Sequence, residues 1–195
     1  MSRYFIVLSI TLFSALALPA QKLNVSVDYI MEDPTARNTI IFYKPSQLLS
    51  WIDFAATPNN SSDAAAITNA GFGFKLLYSR YANNAHLGIS VYCNFSKKDS
   101  WVKPGNKNNY ILAHEQHHFD IAYIHTMLFI QRLRAAHFTT ANYTDLVQKI
   151  YKESADEMSK MQDRYDTETL NSRSVSKQTE WNKRIENQLA LTALK

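Results

Sequence analysis

The chain of 195 residues contains one cysteine, Cys93. A lone thiol cannot close an internal disulfide. Its neighbours, Val91-Tyr92 and Asn94-Phe95, mark it as a partly buried strand thiol, and no base partner for a nucleophilic role can be placed. An excess of one charge is also missing. Lys and Arg total 21 against 17 Asp and Glu, a net charge of +4. The basic residues are scattered and form no stripe, which argues against a nucleic-acid surface. Beyond residue 20 no apolar stretch is long enough to span a membrane. There is no internal repeat and no low-complexity tract. Triplets beginning at Asn24, Asn59, Asn60, Asn94 and Asn142 match the glycosylation pattern, but the pattern matters only in a host with the eukaryotic machinery.

The first twenty residues read as an export signal. Arg3 gives a short basic start, Tyr4 to Leu18 is apolar, and Leu18-Pro19-Ala20 before Gln21 resembles a small-residue cleavage site. A second cut is conceivable at Ala15-Leu16-Ala17. The remainder, 21–195, suits one domain with its own core. Its expected location is exported, in a bacterial periplasm or secreted.

The two halves differ in character. Residues 21–108 read as strands and loops. Thr39 to Tyr43 is a short β run. Gly71–Tyr78 and Leu87–Phe95 have β-rich composition, and the turn-like Tyr81–His86 between them predicts a hairpin. Residues 109–195 read as three helices, near 109–136, from 142 or 144 onward, and near 176–194. A small antiparallel or mixed sheet followed by helices is an α+β architecture.

The first helix carries the chemistry. His114-Glu115-Gln116-His117-His118 is an HExxH string. With the chain's own composition, about 0.006 such strings are expected by accident. Positions i and i+4 share a helix face, so His114 and His118 can offer nitrogens to one metal ion. Glu115 can then reach a water at that ion and act as general base. The apolar residues Ile111, Leu112, Phe119, Ile121, Ile124, Leu128 and Phe129 predict a buried helix, with Asn108 or Asn109 as its N-cap. Gln116 and His117 read as flanking residues. His125 lies about 10 Å beyond His118 along the axis and reads as a packed histidine or one that stands behind a ligand. Asp120 points away from the metal face and reads as a group that orients a neighbour or pairs with a cation.

Zinc in catalytic sites takes three protein ligands as a rule, so one is missing. The second helix is the natural source. Relative to its apolar side, Glu168 and Glu157 fall on the margin, while Asp166 falls further off. Periodicity therefore selects Glu168, with Glu157 and Asp166 as alternatives. A helix that ended before 168 would free Asp166 to turn inward. Tyr165 lies inside the same face, where a phenol could donate to the oxyanion formed in hydrolysis.

The string Ile111-Leu-Ala-His-Glu-Gln-His-His-Phe-Asp-Ile121 resembles the HEQxHFD hallmark of an uncharacterised bacterial family of predicted secreted zinc-dependent proteases. Leu49-Ser-Trp-Ile-Asp-Phe54, Phe95 with Ser100-Trp-Val102, and Tyr165-Asp-Thr-Glu-Thr169 with Gln178 and Trp181 resemble further segments in the same order. The resemblance implies a zincin-like fold, Zn2+ held by His114 and His118, Glu115 as base, and a peptide or protein substrate. It also draws attention to Asp166 and Glu168. One departure stands out: the family's pattern has a His-Gly pair where this chain has Asn171-Ser172. If the family's histidine serves the metal or the transition state, this chain lacks it, which implies either weak or absent activity or a carboxylate as the real ligand.

Overall fold

Six side chains at every second position, Ala85, Leu87, Ile89, Val91, Cys93 and Phe95, are buried along one strand. Period-two burial is what a strand with one face on a core requires. In the computed structural model, which describes residues 22–35, 37–45 and 47–193, this strand is the centre of the sheet. The expected signal peptide, residues 1–20, lies outside the described residues.

The elements in chain order are β1 (Lys22–Tyr29), β2 (Ile40–Phe42), a short 3-10 turn (Trp51–Asp53), β3 (Ala66–Ile67), β4 (Ala70–Tyr81), β5 (Asn84–Ser96), β6 (Trp101–Val102), α1 (Asn109–Ala135), α2 (Tyr143–Thr169) and α3 (Val175–Ala193). β4 and β5 form the expected hairpin, longer than predicted. It turns at Ala82, whose φ is 50°. The opposite edge of β5 is shared. β1 pairs with it in parallel from Lys22↔Asn84 to Tyr29↔Val91, and β2 continues antiparallel from Phe42↔Asn94 to Ile40↔Ser96. The sheet is therefore mixed, and the fold is α+β with three helices, as the sequence implies. A second ladder joins β3 and β6 antiparallel.

α1 begins where Asn108 caps it: its side-chain oxygen accepts from the Ile111 amide at 2.9 Å. The helix is enclosed on several sides. Phe129, Ile130 and Leu133 pack with Leu87, Ile89 and Val91 of the sheet and with Val147 and Ile150 of α2. Phe119 and Ala122 pack with Cys93 and Phe95, and Ile121 and Ile124 pack with Tyr165, Trp181 and Ile185. A helix apolar on most of its circumference is stable only inside a core. Among the described residues no helix is long and apolar enough to cross a membrane. Cys93 is fully buried rather than partly so, and burial pushes its thiol pKa up, which keeps it protonated.

Polar residues pin the start of α1 to the segment that follows β2. Gln116 Oε1 accepts from the Leu49 amide at 2.8 Å, and its Nε2 donates to Asp120 Oδ1 at 2.8 Å. Asp120 also accepts from Tyr43 Oη at 3.0 Å and from His117 Nδ1 at 2.9 Å. A buried carboxylate with this many donors is satisfied. Asp120 is thus the orienting group expected, and Gln116 and His117 do more than flank.

Candidate metal centre

His114, Glu115 and His118 lie in the second and third turns of α1. His114 is 3% exposed and Glu115 4%. The two imidazoles are one helical turn apart, with ring centroids 5.0 Å apart and planes at 84°. Both Nε2 atoms converge on one oxygen of Asp166, His114 at 3.1 Å and His118 at 3.0 Å. The three atoms lie within 4.8 Å of one another. Tetrahedral ligands at about 2.1 Å from zinc would lie about 3.4 Å apart.

The proton count argues the same way. His114 Nδ1 is 2.8 Å from Gln178 Oε1, and His118 Nδ1 meets Gln162 Oε1. An amide oxygen only accepts, so each Nδ1 carries its ring's proton. A neutral imidazole then has a lone pair, not a proton, at Nε2. Two lone pairs and a carboxylate oxygen at hydrogen-bond distance repel one another unless protons or one cation sit among them. The donor set, two imidazole nitrogens and one carboxylate oxygen, fits zinc.

Electrostatics shows how the metal-free cluster is held. Burial opposes charge on His118, but the hydrogen bond to Asp166 and the negative charges of Glu115 and Asp166 outweigh it and raise the imidazole to about 9. Burial would raise Asp166, yet the hydrogen bonds from His114 and His118 hold its carboxyl well below the usual carboxylate range.

Glu115 lies beside this cluster and is unlike it. Its Oε2 is buried and has no hydrogen-bond partner. An unpaired buried carboxylate oxygen is costly. Glu115, His114, His118 and Asp166 line one cavity of about 200 Å³, together with Ala64–Thr68, Ala70, Gln162, Asn171 and Ser172. Thr68 Oγ1 donates to the Glu115 carbonyl at 3.2 Å and ties β3 to the helix. At the far rim Leu170, Asn171 and Ser172 all have left-handed φ, at 53°, 50° and 69°. Such angles are uncommon outside glycine, and here they form the C-terminal stop of α2.

Two expectations need correction. Glu168 does not join the cluster: Arg164 Nε donates to its Oε1 at 2.6 Å and Trp181 Nε1 to its Oε2 at 2.9 Å. Glu157 is likewise engaged, by both of its oxygens, with Arg132 at 2.9 and 2.8 Å. Asp166, the alternative, takes the place, and it does so without an early helix end, because α2 runs on to Thr169. The physical reason is that the apolar side of α2 faces the core, while the cleft is met by the adjoining polar stripe, where Gln162 and Asp166 stand at i and i+4. That spacing was readable but lay outside the apolar margin used to choose.

Tyr165 is the second correction. Its ring is fully buried and stacks on His114 with centroids 4.5 Å apart at 19°. Its hydroxyl donates to the His114 carbonyl at 3.3 Å and accepts from Gln178 Nε2 at 2.6 Å. Both bonds are turned into the protein, and the residue does not line the cavity. His125 is a packed histidine as expected, with Nε2 3.3 Å from Met161 Sδ.

The family described as "Bacterial protein of unknown function (DUF922)" matches residues 99–172, a span that holds all of α1 and α2, both histidines, Glu115 and Asp166. No curated protein and no solved structure matches the chain.

Proposed function

We propose that this chain is an exported, zinc-dependent hydrolase of peptide bonds with a zincin-like site. The observation that carries the reading is that Glu115, whose Oε2 is buried and unpaired, lines the same cavity as a two-histidine, one-aspartate cluster. His114, His118 and Asp166 would hold the ion. Bound zinc supplies Lewis acidity that brings the pKa of water from about 16 to about 7. Glu115 takes the proton of the attacking water and delivers it to the leaving amine. Asp166, kept ionised, offsets part of the cation's charge.

A peptide substrate is favoured by the cavity wall. The Lys103 amide donates to the Ala65 carbonyl at 2.9 Å, so the next pair, Ala66↔Val102, is of the non-hydrogen-bonded kind. The Ala66 amide and carbonyl then turn to the other edge of β3, and Ala64–Thr68 line the cavity. An unpaired strand edge accepts an extended peptide as an added strand.

The rival reading is an exported binding module without catalysis, favoured by Asn171-Ser172 at the cavity rim in place of the His-Gly pair. One experiment separates them. The chain from Gln21 onward is purified, its zinc content measured, and a peptide library digested with and without a chelator. Glu115→Gln should keep zinc and lose chelator-sensitive hydrolysis. Stoichiometric zinc without turnover in the wild type favours the binding module, and no zinc at all removes the hydrolase in favour of a metal-free interaction domain.

A further inference from the structure

Neither histidine of the cluster leans on a carboxylate through Nδ1. Both lean on glutamine, and each glutamine is held by the residue it serves. Gln162 accepts from His118 Nδ1 and donates through Nε2 to the His118 carbonyl at 2.8 Å. Gln178 accepts from His114 Nδ1 at 2.8 Å and donates to Tyr165 Oη at 2.6 Å, and Tyr165 Oη donates to the His114 carbonyl at 3.3 Å. The second chain of bonds is a closed ring that starts and ends on His114.

This fixes which end of each amide faces its imidazole. A flipped Gln178 would point its oxygen at Tyr165 Oη, whose proton is already committed, and at Asn182 Oδ1, which now accepts from Nε2 at 2.7 Å. A flipped Gln162 would set its oxygen against the His118 carbonyl. Both flips bring acceptor against acceptor in a buried or half-buried place, which costs the full desolvation of the groups left unpaired.

Resting on the metal-site reading, we infer that Gln162 and Gln178 are positioning residues that hold both imidazoles in the Nδ1–H tautomer and so present two Nε2 lone pairs to one divalent cation. Partners behind ligand histidines are worth about 10–100-fold in metal affinity. Being neutral, the amides fix the tautomer while adding no negative charge, so Asp166 and Glu115 are the acidic groups of the cavity lining.

The test uses zinc as the probe on the chain from Gln21 onward. Affinity is measured by chelator competition, and the coordinating nitrogen is identified from imidazole 15N shifts of the zinc-loaded protein. Wild type should bind through Nε2 of both histidines. Gln162→Met, close in shape but without an acceptor, should weaken zinc about 10–100-fold and lose the Nδ1–H signature of His118. Gln162→Glu keeps the acceptor for Nδ1 but sets its second oxygen against the His118 carbonyl, so it should restore the Nδ1–H signature and Nε2 coordination with only part of the affinity. Gln178→Met repeats the test at His114. It lies in the core, so the Gln162 pair stands by itself should that variant fail to fold. Wild-type zinc binding with an unchanged Gln162→Met variant overturns the positioning role alone. A wild type that binds no zinc overturns the metal-site reading and this inference with it. A Gln162→Met variant that loses affinity but keeps the Nδ1–H signature of His118 marks Gln162 as packing and also overturns it.

Discussion

The Tyr165 ring lies flat against His114, and its hydroxyl is bonded to the backbone carbonyl of that same histidine. A phenol held in this way braces the first imidazole from behind. Burial pushes its pKa up, so it stays protonated across the working range. Tyr165→Phe should therefore cost about 1–3 kcal/mol of stability, since Gln178 loses an acceptor inside the core. The hydrolytic kcat, if the proposal holds, should change less than about threefold, against the 10²–10³-fold expected for a lost oxyanion donor. Urea unfolding and steady-state kinetics together decide between the two roles.

Asp166, and not Glu168, should control zinc. Asp166→Ala removes one of three donors and should lower zinc affinity at least about 100-fold in chelator competition. Glu168→Ala loses contacts to Arg164 and Trp181 on a side that does not line the cavity, and should bind zinc like the wild type. The reverse ranking would remove Asp166 from the site.

The charge state of His118 gives a pH signature. Its imidazole is raised to about 9 by Asp166 and Glu115 against the opposing effect of burial, so below that pH a proton competes with the cation. Zinc affinity should climb from pH 6 to about 9 and level off above. The zinc-free chain should behave in the opposite sense. A raised folded-state pKa contributes stability that is fully present below the ordinary value of 6.5 and is lost as pH rises through about 9. Thermal melts of the chelated protein should fall across that window, and a flat profile would contradict the His118–Asp166 pair.

Asp120 should matter for folding and little for zinc. Asp120→Ala leaves Tyr43, Gln116 and His117 without their common acceptor in the interior. A loss of about 3–5 kcal/mol is expected, the range for removing one member of a buried charged network. Chemical denaturation measures it, and a loss under 1 kcal/mol would show that the network is dispensable.

Ile89, fully buried at the middle of β5 among Leu87, Val91 and Phe129, tests the core. Ile89→Ala should cost about 2–5 kcal/mol, as cavity-forming changes do. Differential scanning calorimetry on the zinc-free protein reads it directly.

Much of this was legible along the chain. The helix expected over 109–136 runs from Asn109 to Ala135, with Asn108 as its cap, and the helix expected near 176–194 runs from Val175 to Ala193. The hairpin was found from β-rich composition and a turn between two runs. These are properties of neighbours a few residues apart, so the sequence carries them in plain form. The parallel partner β1 is not legible in the sequence, because its pairing joins Lys22 to Asn84, 62 positions later, and leaves no local mark.

Local order in the chain determined that two imidazoles and a carboxylate would stand on one helix, since 3.6 residues per turn leaves no other arrangement for that spacing. It could not determine which acid would meet them, whether Tyr165 would face the cavity or brace His114, or that two glutamines would stand behind the rings. Those outcomes depend on where the last turns of α2 cross α1 and where α3 folds back over both. That packing turns Asp166 toward the histidines and Glu168 toward Trp181, two positions apart on the same helix and on different sides of it.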